Sequence, residues 1–300
     1  MDNNLFISRV QDFIRLARPH QYVKNGFVFL PLIFGHQLFN PDDVGTVLMA
    51  FAGFCLASSA VYVFNDLQDV EEDRSHPVKC HRPLASTRIS PRQALGFAGL
   101  LSIGSLGLSL SLANWSYLSI LIAYLLLNSA YSLKLKHMAV IDVVVVSTGF
   151  VLRVFAGGVV IGLLPTHWLV LMTFLLALFI SLAKRRDDLL LARSSNSSRK
   201  SLDGYNLEFV SGAMMIMAAV TIVSYILYTV SPDVIHKHGS NHLYLTSFWV
   251  IIGLLRYMQI TFVCEKSGSP TQVLLKDVFL QVVMVLWLIS FVVLIYVVRV

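Results

Sequence analysis

Charged residues are scarce in this 300-residue chain: Asp, Glu, Lys and Arg make up 13% of it, against about 25% in a soluble domain. Cysteine is scarcer still. Cys55, Cys80 and Cys264 lie far apart and show no CxxC spacing, which excludes a disulfide framework and a cysteine-built zinc site. Amphipathic segments, which one large water-soluble core would need, are also lacking; runs such as Val140–Val151 and Val282–Val298 have almost no polar face. No cleaved leader is expected. Met1–Pro19 carries Asp2, Arg9, Asp12, Arg15 and Arg18 and has neither a continuous apolar core nor a small-residue cleavage site.

Apolar residues are abundant, at 56%. They cluster in runs near the roughly 20 residues that cross a bilayer as a helix. The expected fold class is therefore an all-α integral membrane protein with about nine spans, near 22–39, 44–64, 92–112, 115–133, 140–161, 167–184, 209–230, 243–263 and 277–298. No linker divides the chain, so a single domain over residues 1–300 is expected. Ahead of the spans, Leu5, Phe6, Val10, Phe13, Ile14 and Ala17 recur at helical spacing. They predict an amphipathic helix lying on the membrane surface.

The linkers alternate in charge. Those after spans 1, 3, 5 and 7 contain a single basic residue, Lys237. Those after spans 2, 4, 6 and 8 hold Arg74, Lys79, Arg82 and Arg88, then Lys134 and Lys136, then Arg185, Arg186, Arg193, Arg199 and Lys200, then Lys266. Cytoplasmic loops concentrate Lys and Arg, so an inner membrane with the N-terminus cytoplasmic and the C-terminus outside is expected. That asymmetry accounts for the net charge of +6 without a nucleic-acid partner.

The second linker begins Asn65-Asp66-Leu67-Gln68-Asp69-Val70-Glu71-Glu72-Asp73. On a helix, Asp66, Asp69 and Asp73 share one stripe. Three like charges on one face call for a cation, and Mg²⁺ is the natural one, since it takes one or two carboxylates together with substrate phosphates. Arg74, His76, Lys79, His81 and Arg82 follow at once, and such groups suit the phosphate oxygens that a metal leaves free. Two further features bear on function. Arg153 falls within span 5, where a charge should face a cavity or a partner; Asp142, near the inner end of that span, is one possible partner. His236, His238 and His242 have no acidic or cysteine companion and read as a polar outer loop.

Asn65–Asp73, with Arg74-Ser75-His76-Pro77 and Arg82-Pro83-Leu84-Ala85-Ser86, resembles the first motif of the UbiA superfamily of membrane transferases. The resemblance implies a nine-helix bundle around a lipid-accessible cavity that binds a diphosphate through Mg²⁺. Most members move a prenyl group to an aromatic acceptor and carry a second acidic motif, D-x-x-x-D, after span 6. This chain departs there, reading Lys184-Arg185-Arg186-Asp187-Asp188. That run, with Arg18-Pro19-His20-Gln21-Tyr22-Val23-Lys24-Asn25, Tyr131–His137, Val140-Ile141-Asp142, Arg153 with Ala156-Gly157-Gly158, Leu255-Arg256-Tyr257 and Leu274–Asp277, is more similar to the polyprenyl-phosphate phosphoribosyltransferase branch.

The branch implies transfer of 5-phosphoribose from phosphoribosyl diphosphate to a polyprenyl phosphate, on a route to arabinose donors for envelope glycans. Asp66, Asp69 and Asp73 would then be metal ligands and the catalytic centre, and Asn65 a donor-positioning amide. Arg74, Lys79 and Arg82 are candidate donor-phosphate contacts, with Arg153 facing the cavity. Lys24, Lys134, Lys136, Lys184, Arg185 and Arg186 could take either the ribose 5-phosphate or the lipid phosphate; several also end spans, where basic residues anchor topology. No Ser-His-Asp set or Cys–His pair is found, and a phosphate nucleophile, ionised near neutral pH, needs no general base. An aromatic prenyltransferase is the alternative. A transporter is disfavoured because the two halves show no paired broken helices. Chain length of the lipid and oligomeric state are not set by these residues.

Overall fold

The computed structural model describes residues 2–75, 78–195, 202–265 and 269–297. His76, Pro77, Arg199, Lys200 and Lys266, named above, lie outside the described residues. The described chain is helical, and eight helical segments are long and apolar enough to cross a membrane: Pro41–Gln68, Pro91–Ser111, Trp115–Leu133, Ile141–Val159, His167–Arg193, Leu207–Val230, Leu243–Phe262 and Val278–Tyr296. They match eight of the nine expected spans to within a few residues at most ends; the fifth helix continues well past its expected cytoplasmic end.

The exception is the first. Residues 22–39 were expected as one α-helix, but Pro19–Phe29 is a 3₁₀ helix that runs into a five-residue α-helix, Leu30–Phe34. Two prolines, Pro19 and Pro31, each sit in the first turn of their helix, where the missing N–H is harmless. A 3₁₀ helix rises about 2 Å per residue, against about 1.5 Å for an α-helix. The combined segment therefore reaches about 30 Å, the thickness of the hydrocarbon core.

Two compact units are formed, one from residues 1–136 and 152–164, the other from 137–151 and 165–300. In the first unit are α1 (Asp2–Ala17), the 3₁₀ segment, α2 (Leu30–Phe34), α3 (Pro41–Gln68), α4 (Val70–Ser75), α5 (Pro91–Ser111) and α6 (Trp115–Leu133). The last part of α7 (Ile141–Val159) completes it. Helix starts are encoded locally. Asn40 and Asn114 each accept a backbone N–H in the first turn, and Ser90 with Gln93 forms a reciprocal capping box.

Helix α1 is present as expected, and part of its apolar face is covered by protein. Leu16 is fully buried in a cluster with Val63, Leu84, Ile89 and Ala94, and Phe13 lies edge-on to Phe97 at 5.0 Å. Deeper in this unit, Val28, Val47, Phe54, Tyr117, Leu121 and Ala156 form a second core. In lipid, helices associate through close packing and hydrogen bonds rather than through apolar burial. Tyr117 accordingly donates to the Ala50 carbonyl at 2.8 Å, and Ser105 to that of Gly53 at 2.8 Å.

In the second unit are α8 (His167–Ser195), α9 (Leu207–Val230), α10 (Pro232–His238), α11 (Ser247–Phe262), α12 (Pro270–Lys276) and α13 (Val278–Tyr296), with the first part of α7. Phe179, Ala183, Val210, Met214, Leu254 and Tyr257 centre its core. The segment after α9, expected as a polar loop, instead contains α10, in which His238 is buried, hydrogen-bonds the Tyr228 hydroxyl at 3.2 Å and lies edge-on to Phe291.

One glycine fixes the first unit. A Cβ on Gly157 would lie 1.8 Å from the Val28 carbonyl oxygen, a backbone atom that cannot swing aside, whereas one on Gly26 would meet nothing within 4 Å. Gly157→Ala should therefore destabilise the protein by about 1–3 kcal/mol or more and lower its detergent-extracted thermal midpoint. Gly26→Ala should leave that midpoint near wild type. Equal behaviour of the two variants would contradict the packing described.

Candidate active site

The acidic motif straddles the end of α3. Helical hydrogen bonds continue through it, from Asp69 N–H to the Asn65 carbonyl at 3.0 Å and from Asp73 N–H to that of Asp69 at 2.8 Å. The backbone nevertheless opens at Asp69 to φ −95° and ψ 6°, which ends α3 and lets α4 start afresh. The expected single stripe of three carboxylates is therefore corrected to a split set. Asp66 and Asp73, seven residues apart, stay on one line because seven residues make almost two full turns. Asp69 points to one side.

Each group has its own cations. Arg82 Nη1 donates to Asp66 Oδ1 at 3.0 Å and to Asp73 Oδ2 at 2.6 Å. Arg18 also donates to Asp66 Oδ1, and Lys79 stands 3.7 Å from Asp73. Asp69 is paired with Lys136 and accepts from Asn65 Nδ2 at 2.8 Å; Asn65 in turn accepts from Ser132 at 3.2 Å. Both Asp66 and Asp73 are 2% exposed, and burying a carboxylate is costly unless it is paired and hydrogen-bonded as these are. Arg74, expected here, turns instead to exposed Glu71 at 3.3 Å.

Arg18 and Ser132 were not anticipated as site residues. The signal for Arg18 was its place before Pro19, where the chain is conformationally restricted. Arg18 adopts φ 55° and ψ 57°, a left-handed conformation rare for a residue with a side chain. From there its guanidinium reaches Asp66 and covers the Tyr62 ring at 5.2 Å.

Further along the 3₁₀ segment, Asn25 is buried, donating to Ser58 at 3.1 Å and to Cys55 Sγ at 3.3 Å. Its oxygen accepts from Arg153 Nε at 2.7 Å; Arg153 also donates to the Tyr124 hydroxyl at 2.9 Å and stacks over that ring at 4.8 Å. Asp142 is not its partner. Eleven residues separate the two on one helix, about 16 Å along the axis.

Asp142 belongs to a different cluster, in the second unit. Arg185 Nε donates to it at 2.6 Å, Tyr205 donates its hydroxyl proton to it, and the Val140 N–H donates to Tyr205 at 2.7 Å. Burial, reinforced by the Asp142 bond, pushes the Tyr205 phenol up from its ordinary pKa, so it stays protonated as a donor. Arg185 Nη1 also reaches Asp188 at 3.1 Å. Arg186 donates to the Thr261 carbonyl at 2.7 Å and lies over Phe262 at 4.7 Å. Lys134 and Lys184 are exposed. Arg256, within α11 rather than at a span end, pairs with Asp277 at 2.7 Å and holds that carboxyl below the usual range.

Among the described residues, no three His, Cys, Asp or Glu side chains form a metal cage by themselves. The Asp66–Asp73 pair nevertheless fits Mg²⁺. One guanidinium nitrogen touches both carboxylates, so a single cation can, and two carboxylates are the usual protein share of a Mg²⁺ completed by water and phosphate.

The UbiA prenyltransferase family matches residues 28–282. The chain belongs to that family. As a UbiA member it is a membrane transferase. It is 34% identical over 291 residues to the decaprenyl-phosphate phosphoribosyltransferase of Mycolicibacterium smegmatis, covering 93% of this chain and 91% of that one. The Corynebacterium glutamicum decaprenyl-phosphate phosphoribosyltransferase is 34% identical over 288 residues, covering 95% and 86%. In fold it is similar to a UbiA homolog from Archaeoglobus fulgidus bound to GPP and Mg²⁺, with a TM-score of 0.72, 18% identity, and coverage of 95% and 100%.

The second-unit cluster makes a stability prediction. The Asp142 side chain is wholly buried, so Arg185→Met should cost about 3–5 kcal/mol by stranding a carboxylate. Asp142→Asn added to it should recover part of that loss, giving a coupling of at least about 1 kcal/mol in thermal unfolding. Strictly additive losses would show the pair to be incidental.

Proposed function

We propose that this UbiA-family protein transfers 5-phosphoribose from phosphoribosyl diphosphate to a polyprenyl phosphate and releases diphosphate. The observation that carries the reading is the fate of Asp188. Where a second metal-binding carboxylate pair would serve a prenyl diphosphate, Asp188 is neutralised by Arg185, which Asp142 also holds. The carboxylates suited to Mg²⁺ are then those of the first unit, in a setting rich in Lys and Arg. Two phosphorylated substrates require that balance; one prenyl diphosphate does not. Similarity to the two phosphoribosyltransferases along nearly the whole chain supports the same choice.

In this mechanism Asp66 and Asp73 would hold the metal, and Asn65 and Ser132 orient Asp69 beside them. Arg18, Lys79 and Arg82, which already border the carboxylates, take diphosphate oxygens. Bound there, Mg²⁺ would neutralise charge gathering on the departing diphosphate. The bond from ribose C1 to diphosphate breaks, and a lipid phosphate oxygen forms the new bond to C1. That oxygen is already ionised, so the protein's contribution is positioning and electrostatics rather than proton removal. The proposed orientation puts the acidic motif on the cytoplasmic side of the inner membrane.

Purified protein given labelled phosphoribosyl diphosphate, polyprenyl phosphate and Mg²⁺ should form a labelled lipid and release diphosphate. Asp66→Asn and Asp73→Asn should each lower the rate at least about 100-fold, and chelating Mg²⁺ should abolish it. No labelled lipid, with turnover of a prenyl diphosphate and an aromatic acid instead, would replace this reading by the prenyltransferase one. A reporter fused after Val300 should be active only outside the cytoplasm; cytoplasmic activity would overturn the orientation.

A further inference from the structure

Six basic residues are candidates for the remaining phosphate: Lys24, Lys134, Lys136, Lys184, Arg185 and Arg186. Their surroundings separate them. Lys136 is paired with Asp69, and Arg185 with Asp142 and Asp188. Arg186 is bonded to a backbone carbonyl and stacked on Phe262. Lys134, at the end of α6, and Lys184, within α8, are exposed.

Lys24 is different. It sits in the 3₁₀ segment, only partly accessible, and makes no ion pair or hydrogen bond among the described residues. The charges that act on it are Arg153 and Arg18, both of its own sign. Tyr62 of α3 lies in the field of the same two guanidiniums, and its ring lies under Arg18. No hydrogen bond of its hydroxyl is found among the described residues, and the residue is partly exposed. Lys24 and Tyr62 are each only partly exposed.

Like charges gathered in a poorly solvated place repel strongly. An ammonium held inside a membrane protein marks a functional position. The natural remedy is an anion with several oxygens. Asn25 and Tyr124 hold the buried Arg153 side chain in place, so a fixed guanidinium charge stands near the ammonium of Lys24 and the phenol of Tyr62. A phosphate monoester dianion matches that set in charge and in number of acceptors.

We propose that Lys24, Tyr62 and Arg153 form a phosphate-monoester site, distinct from the Asp66–Asp73 pair that serves the diphosphate. The assignment rests on the proposed phosphoribosyl transfer, in which two monoesters occur: the ribose 5-phosphate and the lipid phosphate. Lys24→Gln, Lys24→Arg and Tyr62→Phe, made in the full chain, separate them through KM measured for each substrate in turn.

Lys24→Gln should raise one KM about tenfold or more, with the other KM and the Mg²⁺ requirement unchanged. Lys24→Arg should stay much closer to wild type, and Tyr62→Phe should raise the same KM by a smaller factor. A rise in the acceptor KM assigns the site to the lipid phosphate, and a rise in the donor KM to the ribose 5-phosphate. Both KM values within twofold of wild type would overturn the site and leave Lys24 as an interfacial anchor. Binding keeps the two proposals distinguishable. Farnesyl monophosphate or ribose 5-phosphate should raise the thermal midpoint of wild type and not of Lys24→Gln, even if no phosphoribosyl transfer is detected. A wild-type midpoint moved by neither probe would overturn the site.

Discussion

The Arg82 guanidinium, bonded to Asp66 and Asp73 together, is the contact on which the first unit's site depends. Two carboxylates buried side by side repel, and burial alone would drive them to the neutral form. Arg82 stands between them as a shared counter-charge and ties the end of α3 to the loop after α4. It is also only partly buried, with its side chain 26% exposed, so it remains able to turn toward a phosphate. A carboxylate pair that accepts one cation at its midpoint is already shaped for another.

That arrangement rests on backbone packing some distance away. Gly157 lets α7 approach the Val28 carbonyl without a side chain between them. The same approach brings Arg153 within reach of Asn25, three residues before Val28. The 3₁₀ geometry of the segment then sets Arg18, Lys24 and Asn25 at a spacing that an α-helix would not give. Close backbone contact, which in lipid replaces apolar burial as the source of helix association, thus positions the cations as well as the helices.

Much of the fold was readable because a bilayer imposes one requirement on every span: enough consecutive apolar residues, with charges confined to the ends. That requirement located eight spans, most of their ends to within a few residues. It did not distinguish a 3₁₀ helix from an α-helix at 19–34, because apolarity carries no information on helical pitch. At the site, helical spacing put Asp66, Asp69 and Asp73 on one stripe, and the sideways turn of Asp69, which depends on one backbone angle, was not readable. Arg153 was marked as unusual by its position, but its partners were not readable. Asn25 and Tyr124 lie 128 and 29 residues away, and no local pattern links residues so far apart. Arg185 misled for the opposite reason. A basic run at a span end looks the same whether it faces a ligand or a buried Asp142.

The distinction between those two kinds of cation separates the possible chemistries. A guanidinium matched to a buried carboxylate, as Arg185 is to Asp142, has its charge already neutralised and adds little attraction for a substrate anion. A cation that has only like-charged neighbours keeps its full field, and a poorly solvated cavity strengthens that field at short range. A prenyl group brings no second phosphate, so in prenyl transfer an unmatched Lys24 is matched only by an anionic acceptor such as an aromatic acid. An enzyme that must seat a monoester near a diphosphate gains a second, independent point of attachment. The unmatched charge at Lys24 therefore calls for a second anionic group among the substrates more directly than the basic run at 184–186, which an internal ion pair already explains.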